Sequence, residues 1–551
     1  MSASSLHCPT KDTARRVKAA LPDSVDVAII GCGPGGLEAG ALLAGAGLKV
    51  ACFDQHYVAG GCATMFERGG KGEKWRFDVG LHYIGDCGPQ GQIPQLLRKA
   101  GVDGVRYVPM DPDGFDTLVF PGLQFKIPVG LQRYQERLHS TFPSEKKGID
   151  RYCRFLAEVR AVAGRMDKRG GKMTWGSALD VLLHGRLLAK YQKATVQQLL
   201  DDCTRDPALR AVLLGQSGDY GVAPSQASAL IHAGLAMHYF EGAFYPEGGG
   251  QVIADQLADR IEACGGSVHL RQGIGQIVVE NGRAVGVQTE ANGKHLPQVV
   301  RARAVISNAD IQKTMLELVP REHLPAEWQK RAQNWQMGGA LWLTCLGLNA
   351  TPAELGLRAT NYWQFDGLDV EKFYTEAATA GKPTPRGCYI TSGTAKDPGT
   401  VGHAPAGMTS LEIMALVPAS WSIWGLTAAE VANGDYRRNV LYLQRKQEME
   451  ANLLDRLDAV LPGARSKVMF CESASPITHS RYTRATGGTG YGLAATPGQF
   501  LENRPGYRGP LPGLYLCGAS TRAGHGIVGA LTSGLRAAQR VGAELEVVIP
   551  G

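Results

Sequence analysis

The hydrophobic period of this chain changes along its length, and the changes mark its elements. Val25-Asp26-Val27-Ala28-Ile29-Ile30 is a short apolar run rich in β-formers, as expected of a strand buried on both faces. A glycine-rich hexapeptide, Gly31-Cys32-Gly33-Pro34-Gly35-Gly36, interrupts it. Residues 37–47 are Ala/Leu-rich and predict a helix stopped by Gly45 or Gly47. Lys49-Val50-Ala51-Cys52-Phe53-Asp54 predicts a second strand. Far downstream, residues 267–270 and 275–280 read as strands, with a hairpin return over 282–287 through Asn281-Gly282. Residues 303–309 form another strand that ends in small residues, and 513–520 a buried strand that does the same before an Ala-rich C-terminal helix.

Between these β/α segments lie two insertions of a different pattern. Residues 103–236 begin with hairpin-like runs around 118–127 and become helical, with helices expected over 149–162 and 179–200. Residues 337–470 mix strands at 341–348 and 411–416 with a long amphipathic helix over 435–461. The pattern predicts an α/β nucleotide-binding domain in three pieces, 23–102, 237–336 and 471–551, with a mixed α+β substrate domain inserted as 103–236 and 337–470.

Composition changes this picture little, except for glycine. The chain has 551 residues and 71 glycines, nearly twice the usual share of about 7%. They cluster at strand-to-helix turns, which points to close backbone approach to a ligand. The formal net charge of +7 is spread over short clusters with no basic stripe, so no nucleic-acid partner is expected. The 12 cysteines form no CxxC pair and match no zinc spacing. No metal site is read from them, and a reduced, cytoplasmic setting is expected. Arg15-Arg16 lacks an apolar stretch behind it, so no export signal is read. No run of about 20 apolar residues is present to span a bilayer. Residues 181–191 carry apolar residues near helical spacing with basic residues between them. They read either as a core-facing helix or as a peripheral contact with the cytoplasmic membrane face.

The glycine turn carries the first chemistry. Gly31 allows the tight turn, Gly33 and Gly35 with Pro34 let the backbone approach a pyrophosphate, and Gly36 lets helix and strand pack closely. The helix mouth offers free N–H groups and the positive end of a dipole. Asp54 lies about 20 residues on, where an acid takes the ribose hydroxyls of an adenine dinucleotide. The motif alone does not separate FAD from NAD.

Further segments bear on that choice. Gly60-Gly61-Cys62-Ala63-Thr64 opens the loop after the second strand, and Phe77-Asp78-Val79-Gly80-Leu81-His82-Tyr83-Ile84-Gly85 follows. Gly524-His525-Gly526-Ile527-Val528-Gly529 feeds the C-terminal helix after Gly518. A second glycine turn entering a helix suits a flavin's pyrimidine edge or ribityl phosphate. Together these segments resemble the phytoene desaturase superfamily of flavoproteins. Residues 77–85 and 242–249 (Gly-Ala-Phe-Tyr-Pro-Glu-Gly-Gly) are most similar to carotenoid cis–trans isomerases and retinol saturases.

The resemblance implies one FAD in a Rossmann-like domain of the GR2 type, within an amine-oxidase/phytoene-desaturase-like architecture. Gly60, Gly61, Cys62, Ala63, Gly80, Asn308, Gly518, Ile527 and Val528 would join the N-terminal turn as cofactor contacts, with backbone near Ile277 holding the adenine. It further implies an enzyme that saturates, desaturates or isomerises C=C bonds of an apolar polyene or isoprenoid lipid. Such an enzyme needs an external electron partner such as a quinone, O2 or NAD(P)H. Candidate catalytic residues are His82 and Tyr83, Tyr245 and Glu247, and His525. His82 reads equally as a backbone hydrogen-bonder, Glu247 as a helix cap and His525 as a loop-shaping residue. The competing functions are an amine-oxidase-like flavoenzyme and a non-catalytic prenyl-lipid escort protein.

Overall fold

The computed structural model describes residues 20–70, 73–168, 185–291, 296–379 and 381–551. Its first large sheet has the strand order 267–270, 50–54, 24–30, 299–307, 283–289, 274–280, and Leu514–Leu516 also pairs with Val299–Ser307. The pairings among 267–270, 50–54, 24–30, 299–307 and 514–516 are all parallel. Three distant stretches of chain therefore build one sheet. Both its faces are buried, which is why these strands read as unbroken apolar runs. Pro34–Gly45, Gln251–Ala263 and Gly526–Leu545 cover one face. The hairpin turn at Asn281-Gly282 has φ of 49° and 73°, the left-handed pair that an Asn-Gly turn supplies.

The second large sheet runs 468–474, 340–348, 409–417, 387–391, 361–365, 116–120, 123–127. It joins the two insertions by the parallel pairing of Asn361–Phe365 with Asp116–Phe120. Strand alternation sorts its side chains. On Ala340–Leu348, Trp342 and Leu346 pack in a core with helix Val440–Val460, whereas Leu341, Leu343 and Cys345 face a cavity on the opposite side. A helical layer that includes Lys146–Lys168 and Ala229–Phe240 closes the far side of that cavity.

Two expected helices end differently. Within 179–200, residues 179–184 lie outside the described residues, and the remainder is two helices, Arg186–Tyr191 and Val196–Cys203. Thr195 and Gln198 form a reciprocal capping box that starts the second one afresh. The helix expected from 435 begins at Val440, where the Asn439 side chain accepts from Tyr442 N at 3.0 Å. Only 185–191 of the proposed membrane-surface segment is described. Among the described residues no helix is long and apolar enough to cross a membrane.

Candidate active site

Both glycine turns open into the same cavity, of about 1720 Å³, which exceeds the roughly 300–1,000 Å³ usual for one small ligand. Its first wall is backbone. Gly31 sits at φ 94°, and a Cβ on Gly36 would stand 2.2 Å from Gly31 O, so only glycine permits this turn to touch the helix that follows. The helix Pro34–Gly45 has no side-chain cap and no acid in its first turn, leaving its mouth free for an anion. Asp54 accepts from Cys32 N at 2.7 Å and His56 N at 2.8 Å. Burial pushes its carboxyl upward, and these two amides partly offset that.

The C-terminal mouth has the same form. Gly526–Leu545 starts at His525 without a side-chain cap, and His525, Gly526, Ile527 and Val528 line the cavity. Arg504, fully buried, holds this turn by donating to the carbonyl oxygens of Leu493, Gln499 and Ala519. Two uncapped helix N-termini and an acid at a strand end, all facing one space, fit a dinucleotide with its phosphates on the backbone N–H groups.

Of the expected cofactor contacts, Gly31, Gly33, Pro34, Gly35, Asp54, Gly61, Cys62, Ala63, Gly80, Asn308, Gly518, Ile527 and Val528 line the cavity. Gly36 and Gly60 stand behind it and shape the turns. Ile277 is displaced from its expected place. It is buried in the core under the sheet, and Gly273 and Ile274, just before it, line the cavity instead.

The catalytic candidates divide. His82, Tyr83 and His525 reach the cavity; Tyr245 and Glu247 do not. Glu247 lies toward the surface, 4.0 Å from Arg106, and caps no helix: the next one starts after Gly250. Tyr245 is fully buried and donates to Asp78. That pair belongs to a closed ionic cluster behind His82. Lys396 donates to His82 O and to Thr391 Oγ1, and its Nζ lies 4.4 Å from the centre of the Tyr245 ring. Asp78 N donates to Glu412 Oε1 at 3.1 Å. Burial lowers the Lys396 ammonium and raises the Glu412 carboxyl, while their mutual attraction opposes both shifts. Asp78, His82 and Glu412 bring ligand atoms within 4.8 Å of one another, but the resident ammonium already balances these acids, so a divalent cation would have to displace it.

His82 and His525 are neutral imidazoles. Burial pulls each down to about 3, helped by the nearby cations Lys396 and Arg504 respectively. Among the described residues neither ring of the two makes a hydrogen bond of normal geometry. The backbone of Val79 near His82 and of Asp219 near His525 favours the protonated forms only weakly. The Val79 backbone contact is what the structure shows of the backbone-bonding role expected as an alternative for His82.

The rest of the cavity wall was not read from the sequence. Tyr83 stacks on Tyr239 with centroids 4.2 Å apart, and Trp363 meets Tyr389 edge-on at 4.5 Å. Leu230, Leu235, Phe373 and Leu416 extend this apolar lining, and Asp219 interrupts it. These residues come from five separate segments. The one local signal, Gly218-Asp219-Tyr220-Gly221 set against an apolar run, does not distinguish a site from a turn.

Comparisons with known proteins follow the same outline. Residues 29–100 match the NAD(P)-binding Rossmann-like domain family, and residues 420–542 the flavin containing amine oxidoreductase family. All-trans-retinol 13,14-reductase of Danio rerio is 28% identical over 546 residues, covering 94% of this chain and 85% of that protein. Chloroplastic prolycopene isomerase of Daucus carota is 24% identical, covering 94% and 80%. A putrescine oxidase variant superposes with a TM-score of 0.61 at 18% identity, covering 95% of this chain and all of that one, which establishes the shared fold. The protein is a flavin-dependent oxidoreductase. Along nearly its whole length the chain is thus similar to the phytoene desaturase, carotenoid isomerase and retinol saturase superfamily of flavin-dependent oxidoreductases.

Proposed function

We propose that the protein is an FAD-dependent reductase that saturates one C=C bond of a conjugated, retinoid- or carotenoid-like polyene. The observation carrying this reading is the shape of the single cavity: a dinucleotide wall at one side passes directly into an apolar, aromatic-lined arm with few polar groups. The full-length similarity to retinol 13,14-reductases supports the reductive direction over isomerisation. The N-terminal mouth with Asp54 suits the ADP half of FAD, and the C-terminal mouth suits its flavin half. A bound flavin supplies the two-electron redox step. The chain's own residues orient the polyene between Tyr239, Trp363 and Tyr389, exclude water and manage the proton. An external two-electron donor completes the cycle.

The substrate enters, on this reading, past Phe66, Tyr436 and Lys446, which line the cavity. Beyond them the helix start at Val440 and Leu443 is 79% and 42% exposed, which suits a peripheral contact with a membrane surface that delivers a lipid.

The test is incubation of the holoenzyme, chemically reduced and oxidised, with retinoids and carotenoids, followed by mass analysis. A gain of two mass units is expected with reduced enzyme. An unchanged mass with altered retention would establish isomerisation, and a loss of two would establish desaturation; either displaces the reductase reading.

A further inference from the structure

Tyr83 stands between two buried carboxyl groups at the edge of the apolar arm. Its hydroxyl lies 3.1 Å from Asp116 Oδ2 and 2.5 Å from Asp219 Oδ2. One phenol proton serves only one of these contacts. For the other also to be a hydrogen bond, a carboxyl must carry a proton and donate it to the phenol oxygen. The surroundings decide which one. Asp116 is fully buried and receives two amides, Asn361 Nδ2 at 3.0 Å and Gln216 Nε2 at 2.8 Å. Thr391 in turn donates to Asn361 Oδ1 at 2.8 Å, fixing the orientation of that amide. These donors favour an ionised Asp116. Asp219 is bonded through its side chain to Tyr83 alone among the described residues. It is enclosed by protein yet keeps part of its surface open to the cavity.

Two carboxyl groups bridged by one hydroxyl in an apolar wall do not both ionise readily. Burial and the Asp116 charge both raise the Asp219 carboxyl, and Tyr83 only partly reverses this. Asp116 itself rises only to about 6. The other groups facing the pair include the phenols of Tyr220, Tyr239, Tyr374, Tyr389 and Tyr491 and the neutral His525. Lys396, the cation of the Glu412 cluster, also attracts Asp116 and favours its ionised form, which leaves the proton to Asp219. Environments that push two paired groups apart assign acid and base.

We propose that Asp219, held by Tyr83 and Asp116, is the proton donor of this site, carrying a carboxylic-acid proton at neutral pH and delivering it to a carbon of the bound polyene. The step rests on the reductase reading above. The Asp219 O–H bond breaks and a C–H bond forms at one carbon of the double bond. The adjacent carbon receives hydride from a reduced flavin, the π bond is consumed, and the polyene gains two electrons that the flavin loses. The external two-electron donor restores the flavin, and water entering after product departure reprotonates the Asp219 carboxylate. Tyr83 and Asp116 are positioning residues that keep the proton on Asp219.

Infrared spectroscopy of the holoenzyme tests the proton without turnover. The carbonyl stretch of a protonated carboxylic acid should be present in wild type at pH 7 and shift in heavy water. Because Glu412 and Glu38 are raised as well, the Asp219 band is read as the difference between wild type and Asp219→Asn, and it should persist when the same subtraction is made in an Asp116→Asn background. In Tyr83→Phe it should move to higher frequency, as the acid loses its hydrogen bond. Asp219→Asn should retain its flavin absorbance yet slow product formation by roughly 10²–10⁴-fold, the range of general acid catalysis. It should also lose the fall in rate that wild type shows as pH rises through the Asp219 titration. Absence of that difference band, or wild-type rates in Asp219→Asn, would overturn the assignment. If wild type converts no polyene, mass analysis reports the failure of the substrate reading separately from the band, and the proposed proton acceptor goes with it.

Discussion

The two walls of the cavity are built by opposite means. The dinucleotide wall is backbone: glycines at Gly31 and Gly36, two helix mouths without side-chain caps, and one acid at a strand end. The substrate wall is side chain: stacked and edge-on aromatics, a carboxyl pair, and behind His82 a buried ionic cluster drawn from segments more than 300 residues apart. A backbone wall is general, since any phosphate meets the same N–H groups. A side-chain wall is particular, and its polar members are costly unless each is compensated. The fold thus keeps a common cofactor seat and concentrates specificity, and electrostatic risk, on the opposite side.

The strongest way to stress this contrast is to unbalance the side-chain wall. Lys396→Met leaves Asp78 and Glu412 without their buried cation, and unfolding experiments should show a loss of about 3–5 kcal/mol at pH 8. The sign with pH follows from Glu412, whose carboxyl burial pushes up to about 8. A carboxyl raised in the fold supports stability fully below its unfolded value near 4.3 and progressively less as pH climbs toward its folded value. The deficit of Lys396→Met should therefore shrink at pH 5. An equal deficit at both pH values would refute the ionic account.

Next in size is damage to the backbone wall. Gly33→Val fills the space over the helix mouth, where even a Cβ would stand 2.9 Å from Asn308 Nδ2. Loss of two charge-assisted hydrogen bonds of about 1.5 kcal/mol each corresponds to roughly 100-fold weaker cofactor binding. The purified variant should be colourless, and a fully yellow protein would contradict the phosphate assignment. His82→Ala should keep its flavin and slow polyene turnover about tenfold, equivalent to ~1.4 kcal/mol. Unaltered rates would reduce His82 to a spacer between the cavity and the Lys396 cluster.

The smallest effect lies in the first helix. Both Glu38 carboxylate oxygens are buried without a hydrogen-bond partner among the described residues, and burial raises this carboxyl well above its ordinary range. Glu38→Met has a similar volume and no unmet polar group, so stability should rise by about 1 kcal/mol. A decrease would mean that this acid has a partner in solution.

Legibility followed the same division. The turn Gly31–Gly36, Asp54 and the C-terminal mouth are readable because backbone constraints act between near neighbours: a glycine is required wherever φ is positive or a Cβ collides. Strand periodicity finds the strand Ile274–Glu280 without telling that Ile277 faces the core and Ile274 the cavity. Tyr245 and Glu247 were selected for belonging to a polar-rich motif, yet the strand Ala243–Pro246 directs Tyr245 into the Asp78 cluster and leaves Glu247 near the surface. Asp116, Asp219, Lys396 and Glu412 gave no local sign. Their chemistry exists only as pairs, and the partners are neighbours in space alone.

By itself the sequence determined the Rossmann-like frame and both helix mouths, because turn sterics, hydrophobic period and helix ends are short-range properties. Tertiary structure decided which side chains face the polyene arm, which acids are charged and where a proton is held. Those outcomes depend on desolvation and on partners brought together from Tyr83, Asp116, Asp219 and Asn361, and low-dielectric electrostatics has no counterpart along an extended chain.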